Sequence, residues 1–195
     1  MGFDQTLLYF GAPALCGLKA ANLVSVADEL ADANGQNILA INEELAQSGR
    51  KIVRIKRGGG RTLFFLYDRN MLGLAVSKKN VQRYLAKKNY PVYNGLDAIL
   101  AELLRRLSSQ TDFPHEIGIF LGYPLADVIL FEKSKGKGCL YSGLWKVYGN
   151  VQESVCKMTL YRNCCVRCSR LFERGMKLTD ISRNYNKIAG LPEPV

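Results

Sequence analysis

The apolar positions of the chain change period several times, and each change predicts an element. Leu7 to Phe10 is a short apolar run closed by Gly11 and Pro13, which reads as a strand or an extended lead-in to a helix beginning near Leu15. From there Leu18, Ala21, Asn22, Val26 and Leu30 follow one helical face, and Asn34-Gly35 ends the pattern. Ile38, Ile41 and Leu45 predict a second helix, stopped by Ser48-Gly49. Lys51 to Lys56 then alternates, with Val53 and Ile55 on one side and Arg54 and Lys56 on the other, while Thr62 to Tyr67 is continuously large and apolar. Joined by Arg57-Gly58-Gly59-Gly60-Arg61, the two runs predict a hairpin whose second strand is buried on both faces.

Further along, Lys78 to Lys88 reads as a helix with Val81, Tyr84 and Leu85 inward and its lysines outward. Asn94 can cap an amphipathic helix carrying Leu96, Ile99, Leu100, Leu103, Leu104 and Leu107. Leu140 to Tyr148, around Trp145, predicts a strand pair turning at Ser142-Gly143. Asn150 with Glu153 opens the last long helix, Gly175 closes it, and residues 185–195 read as a flexible tail. Helices, hairpin, helices, short strands and a long helix do not alternate as a doubly wound sheet requires. The expectation is an α+β or irregular α/β fold: one domain over 1–184, with a mixed sheet that includes a basic hairpin.

Composition narrows the class. Neither disorder nor a membrane span is indicated, because 48% of residues are hydrophobic and no run approaches the roughly 18 apolar residues a span needs. The N-terminus lacks a basic signal region, and the crowding of cysteines at 156, 164, 165 and 168 on one predicted helix suits a reducing compartment, so a cytoplasmic location is expected. The net charge of +10 is unevenly placed: residues 51–91 carry 11 basic and 1 acidic group, and residues 133–195 carry 12 and 4. These blocks either form a positive face for an anionic partner or neutralise the acidic blocks between them.

Few residues suggest chemistry. His115 is the only histidine, so a proton shuttle near neutral pH uses it or no imidazole. Cys16, placed near the start of the first predicted helix, is the one plausible nucleophilic thiol. Cys164, Cys165 and Cys168 offer two ligand-like spacings, but both fall within one helix without a second ligand pair, so no metal and no cofactor are expected. The glycines at 58–60 lack the Lys-Ser/Thr of a phosphate loop. Ile117, Gly118, Leu121, Gly122, Pro124 and Val128 have helix-turn-helix spacing, yet the second helix would show Leu125, Asp127 and Leu130 to a groove that favours cations, so packing into the core is the better reading.

Three stretches, Ala12 to Leu23, Phe113 to Pro124 with Asp127-Val128, and Leu144 to Gly149, resemble an uncharacterised family of cytoplasmic proteins of about this length from anaerobic bacteria, known as a domain of unknown function. The family's first motif opens with His-Cys and has threonine after the proline, where this chain has Phe10, Gly11 and Ala14. If that cysteine and the histidine matching His115 made the family thiol enzymes, this member would lack the nucleophile. The leading expectation is therefore a non-catalytic or degenerate domain that binds a small molecule or a protein through Lys19, Glu116 and Tyr123. One alternative is a thiol enzyme of papain-like logic using Cys16 and His115. The other is a nucleic-acid binder using Arg54, Lys56, Arg57 and Arg61. No membrane partner is expected.

Overall fold

A computed structural model describes residues 1–56, 58–109 and 113–190. In chain order the elements are α1 (Phe3–Leu15), β1 (Ala21–Ala27), α2 (Asp28–Ala33), α3 (Gly35–Leu45), β2 (Arg50–Lys56), β3 (Arg61–Asp68), α4 (Arg69–Ser77), α5 (Lys79–Lys87), α6 (Gly95–Ser108), α7 (Ile117–Phe120), α8 (Leu125–Ser134), β4 (Tyr141–Ser142), β5 (Lys146–Val147), α9 (Val151–Glu173) and α10 (Leu178–Ala189). The class is α+β, as the element order predicts. Both sheets are antiparallel, so the expected mixed sheet is corrected: the larger has the order β1-β3-β2 and the smaller pairs β4 with β5. Residue contacts group the chain into two compact units, one of Met1–Arg69 with the residues from Tyr161 onward, the other of Asn70–Leu160.

The first unit is built around β3. Ala21 to Ala27 pair residue by residue with Tyr67 to Arg61 on one edge, and Arg50 to Lys56 pair with Asp68 to Thr62 on the other. As the central strand, β3 is covered on both faces, which is why Phe64, Phe65, Leu66 and Tyr67 are all buried. Leu7, Leu8, Leu15, Leu45, Ile52, Phe64 and Leu66 form its core with Leu178 and Ile181 of α10, and Phe3 meets Phe64 edge-on with ring centroids 5.2 Å apart. Burying each such side chain contributes about 1.5–3 kcal/mol.

The first thirty residues differ from expectation. The predicted strand Leu7 to Phe10 lies in the middle of α1, and the helix predicted from Leu15 to Leu30 is instead β1 followed by the short α2. α1 is buried on so many sides, at Leu7, Leu8, Gly11, Ala12, Ala14 and Leu15, that it has no polar stripe to reveal its period. Pro13 lies inside α1, in its last turn, and its carbonyl accepts the N–H of Leu18 and Lys19 just beyond the helix end. Gly11 lets α1 lie close on the sheet: a Cβ there would stand 2.5 Å from Leu66 Cδ2. At the other terminus α10 is helical through Ala189, across part of the expected tail, and residues 191–195 lie outside the described residues.

The second unit packs α6 through Ile99, Leu100, Leu103 and Leu107, the stripe its sequence predicts. Asn94 makes no side-chain cap there; it belongs to a short 3-10 turn, Val92–Asn94. Asn150 does cap α9, accepting the backbone N–H of Glu153 at 3.1 Å. No helix among the described residues is long and apolar enough to cross a membrane.

Candidate functional site

The segment Phe113 to Pro124 forms a turn, the four-residue helix α7 and a second turn, and all four residues of α7 are buried. Gly118 makes this compactness attainable, since a Cβ there would stand 2.8 Å from Val128 Cγ2 and 3.0 Å from Tyr123 Cδ2. Gly122, with φ of 78°, turns the chain toward α8. The helix-turn-helix spacing is thus two short helices packed into the unit, not a groove reader.

Asp127 on the first turn of α8 fixes what comes opposite. It is buried, and its carboxylate accepts the indole N–H of Trp145 at 2.9 Å and the backbone N–H groups of Tyr148 at 2.9 Å and Gly149 at 3.1 Å. Three donors satisfy a charge that burial alone would make costly. Trp145 is held against Tyr123, the rings stacked with centroids 4.8 Å apart and planes 20° from parallel.

Between these parts lies a cavity of about 390 Å³, lined by Phe113, His115, Ile117, Gly118, Leu121, Tyr123, Asp127, Val128, Phe131, Ser142, Gly143, Trp145 and Lys146. Its walls are mostly aromatic and aliphatic. His115 is exposed on the turn before α7 and stands edge-on to Phe131, with centroids 5.2 Å apart. Lys146 brings a cationic group, its ammonium donating to the Gly136 carbonyl at 2.6 Å. The volume lies within the range of small-molecule sites, and apolar walls with a few polar groups are their usual make-up.

Glu116, expected to bind a ligand with Lys19 and Tyr123, lines a separate, more polar cleft that also includes Phe113 and His115. Its carboxylate accepts the Arg106 guanidinium at 2.7 Å and the Tyr90 hydroxyl at 3.1 Å. Arg106 lies over the Tyr90 ring, 4.1 Å from its centroid, and also bonds Glu102 and the Lys88 carbonyl. Hydrogen bonds from Arg105, and then from Arg106, hold the Glu102 carboxyl down at about 2. Glu116 is thus committed to an internal ion pair.

Of the other predicted residues, Tyr123 lines the cavity, while Cys16 and Lys19 belong to the first unit. Cys16 is not at a helix start but caps the C-terminus of α1, where no helix dipole favours a thiolate, and burial pushes its thiol well up. Its sulfur lies 3.6 Å from that of Cys168, which is 3.9 Å from that of Cys164. Lys19 is buried with its ammonium 5.5 Å from the Tyr161 ring centroid, and desolvation brings its pKa from 10.5 to about 8. In the basic hairpin Arg54 and Lys56 both pair with Asp32, and Arg61 donates to the hydroxyl and carbonyl oxygens of Ser25 at 2.8 and 2.7 Å. Arg57 lies outside the described residues.

Sequence reasoning did not single out Asp127, Phe131, Trp145 or Lys146 as site residues. Asp127, Trp145 and Lys146 lie in the family-like stretches, two of which meet at this cavity, whereas Phe131 lies outside them. An α+β fold enclosing an aromatic-walled cavity defines an α+β protein with a small-molecule-sized pocket, without naming a reaction. The chain belongs to the family described as "Protein of unknown function (DUF3793)", whose model matches residues 7–182. No curated protein and no solved structure matches it.

Proposed function

We propose that the protein is a ligand-binding domain of the cytoplasm, whose cavity takes a small, planar, largely apolar molecule carrying an anionic group. The observation that supports this reading is the convergence of two sequence stretches, Phe113 to Val128 and Ser142 to Lys146, on one cavity of about 390 Å³. Phe113, Tyr123, Phe131 and Trp145 provide flat apolar surface, and His115 and Lys146 provide the groups that attract an anion. Asp127 does not compete for the ligand, because its oxygens already accept three N–H groups.

The test uses the protein's own reporter. Trp145 is the only tryptophan and lines the cavity, so titration with the aromatic sulfonate 8-anilinonaphthalene-1-sulfonate should quench its emission by energy transfer with saturable, one-to-one stoichiometry. Linear, non-saturating quenching would count against the reading.

A further inference from the structure

The fold brings Cys16 together with two cysteines far along the chain, Cys168 lying 152 residues away. Cys16 ends α1, and Cys164 and Cys168 stand one turn apart on α9. Their sulfurs all lie within 4.8 Å of one another, and all three side chains are buried. In the sequence the second and third had no third donor; the return of the chain through α9 supplies Cys16.

We propose that Cys16, Cys164 and Cys168 form a trigonal thiolate site for a monovalent soft cation, Cu(I). A cation about 2.3 Å from each of three sulfurs in its plane holds them roughly 4 Å apart. The observed separations of 3.6 and 3.9 Å, with the third below 4.8 Å, need little adjustment to meet that figure. Thiolates select soft ions, which argues for copper(I) or zinc over magnesium, calcium or manganese. Coordination number decides between those two. Zinc takes four ligands, the fourth often a water, whereas no fourth His, Cys, Asp or Glu among the described residues joins the cluster, and the surroundings are mostly apolar side chains of the first unit's core, with the Tyr185 hydroxyl against Cys164. Three sulfurs in a buried, largely apolar site complete the coordination of Cu(I) but leave Zn²⁺ short of a ligand. Binding leaves all three sulfurs as thiolates, with the protons of those still protonated released to solvent, and involves no change in oxidation state.

The rival reading is that three small, soft side chains fill core volume and bind nothing. The two are separated by anaerobic titration of the full-length, reduced protein with Cu(I) against the chelator bathocuproine disulfonate, followed by X-ray absorption at the copper edge. The expected result is one tightly held equivalent, with three sulfur neighbours at a single distance. Cys168→Ala and Cys16→Ala, chosen because alanine suits an apolar core, should each weaken binding by more than the roughly 10–100-fold cost of losing a group that merely orients a ligand. Cys139→Ala and Cys156→Ala, at cysteines outside the cluster, should leave it unchanged. Should either cluster variant fail to fold, the sulfur count on the unaltered protein still decides. Absence of a tight equivalent, two-sulfur coordination, unchanged affinity in folded Cys16→Ala and Cys168→Ala, or tighter retention of Zn²⁺ in a four-coordinate site would each overturn the proposal.

Discussion

Asp127 and Trp145 are joined by a buried hydrogen bond of 2.9 Å from the indole N–H to the carboxylate, and the other carboxylate oxygen accepts two consecutive backbone N–H groups at Tyr148 and Gly149. This one side chain fastens the β4-β5 hairpin to α8 and so sets the far wall of the cavity. Asp127→Asn keeps the size but turns an NH2 group toward N–H donors on one side or the other. The variant should lose roughly 2–3 kcal/mol of stability, as expected when a hydrogen bond to a buried charge is broken, and the Trp145 emission should shift to the red. Urea unfolding followed by tryptophan fluorescence measures both; unchanged stability and emission would mean that Asp127 does not hold the hairpin.

The Arg106 to Glu116 pair gives a second prediction. Removing the cation by Arg106→Leu leaves Glu116 buried with the Tyr90 hydroxyl as its remaining donor among the described residues, and should cost about 3–5 kcal/mol. Adding Glu116→Leu should recover most of that loss, because a buried pair replaced by apolar groups of similar volume is often close to neutral. Calorimetric melting of the two single variants and the double variant gives the coupling. Additive losses would show that the pair is not the source of the effect.

Lys19 makes stability depend on pH in a defined direction. Its folded pKa of about 8 lies below the ordinary 10.5, chiefly through desolvation, with Cys165 and the Tyr161 ring as neighbours. Between those values the unfolded chain holds a proton that the folded chain has released, so stability rises with pH through the window. Below pH 8 both states are protonated and the penalty, roughly 3 kcal/mol, is complete. The gain in stability from Lys19→Met should therefore be largest below pH 8 and fade toward pH 10.5. A gain that stays constant over that range contradicts the assignment.

Gly11 lies in α1 where the helix meets the sheet. Its missing Cβ would meet Leu66 at 2.5 Å and Val24 at 3.4 Å, in the core contact of α1 with the sheet. Gly11→Cys should thus destabilise by about 1–3 kcal/mol, the usual cost of overpacking, and the new thiol should react slowly with a maleimide in the folded protein. Fast labelling without loss of stability would show that the position is open in solution.

The elements legible in the sequence are mostly those with one wet face. β2 and the stripes of α5 and α6 carry a period that survives because solvent requires polar residues on the other side, while β3 is legible as a continuous apolar run and α9 by its Asn150 cap. α1 has little such contrast, since most of its residues from Thr6 to Leu15 are buried, and Pro13 reads as a breaker although it occupies a last turn. In β1, Val24 and Val26 alternate with Ser25, a strand signal that the helical spacing of Leu18, Ala21 and Leu30 outweighs until β3 is known to run beside it. The site divides in the same way. His115 and Tyr123 are prominent in a motif and both reach the cavity, but the pairing of Asp127 with Trp145 and the meeting of Cys16 with Cys168 are tertiary facts that no local pattern encodes.

The account rests most heavily on the cavity beside Trp145, and titration with 8-anilinonaphthalene-1-sulfonate in cavity variants tests it most directly. Lys146→Glu and Ser142→Phe alter exposed lining positions, the first reversing a charge and the second placing a ring in the mouth. If the cavity is the binding site, the unaltered protein shows saturable one-to-one energy transfer from Trp145, and both variants, folded by circular dichroism, lose affinity by roughly tenfold or more, a change of about 1.4 kcal/mol. Equal affinity in all three proteins would place the probe elsewhere and contradict the proposed function.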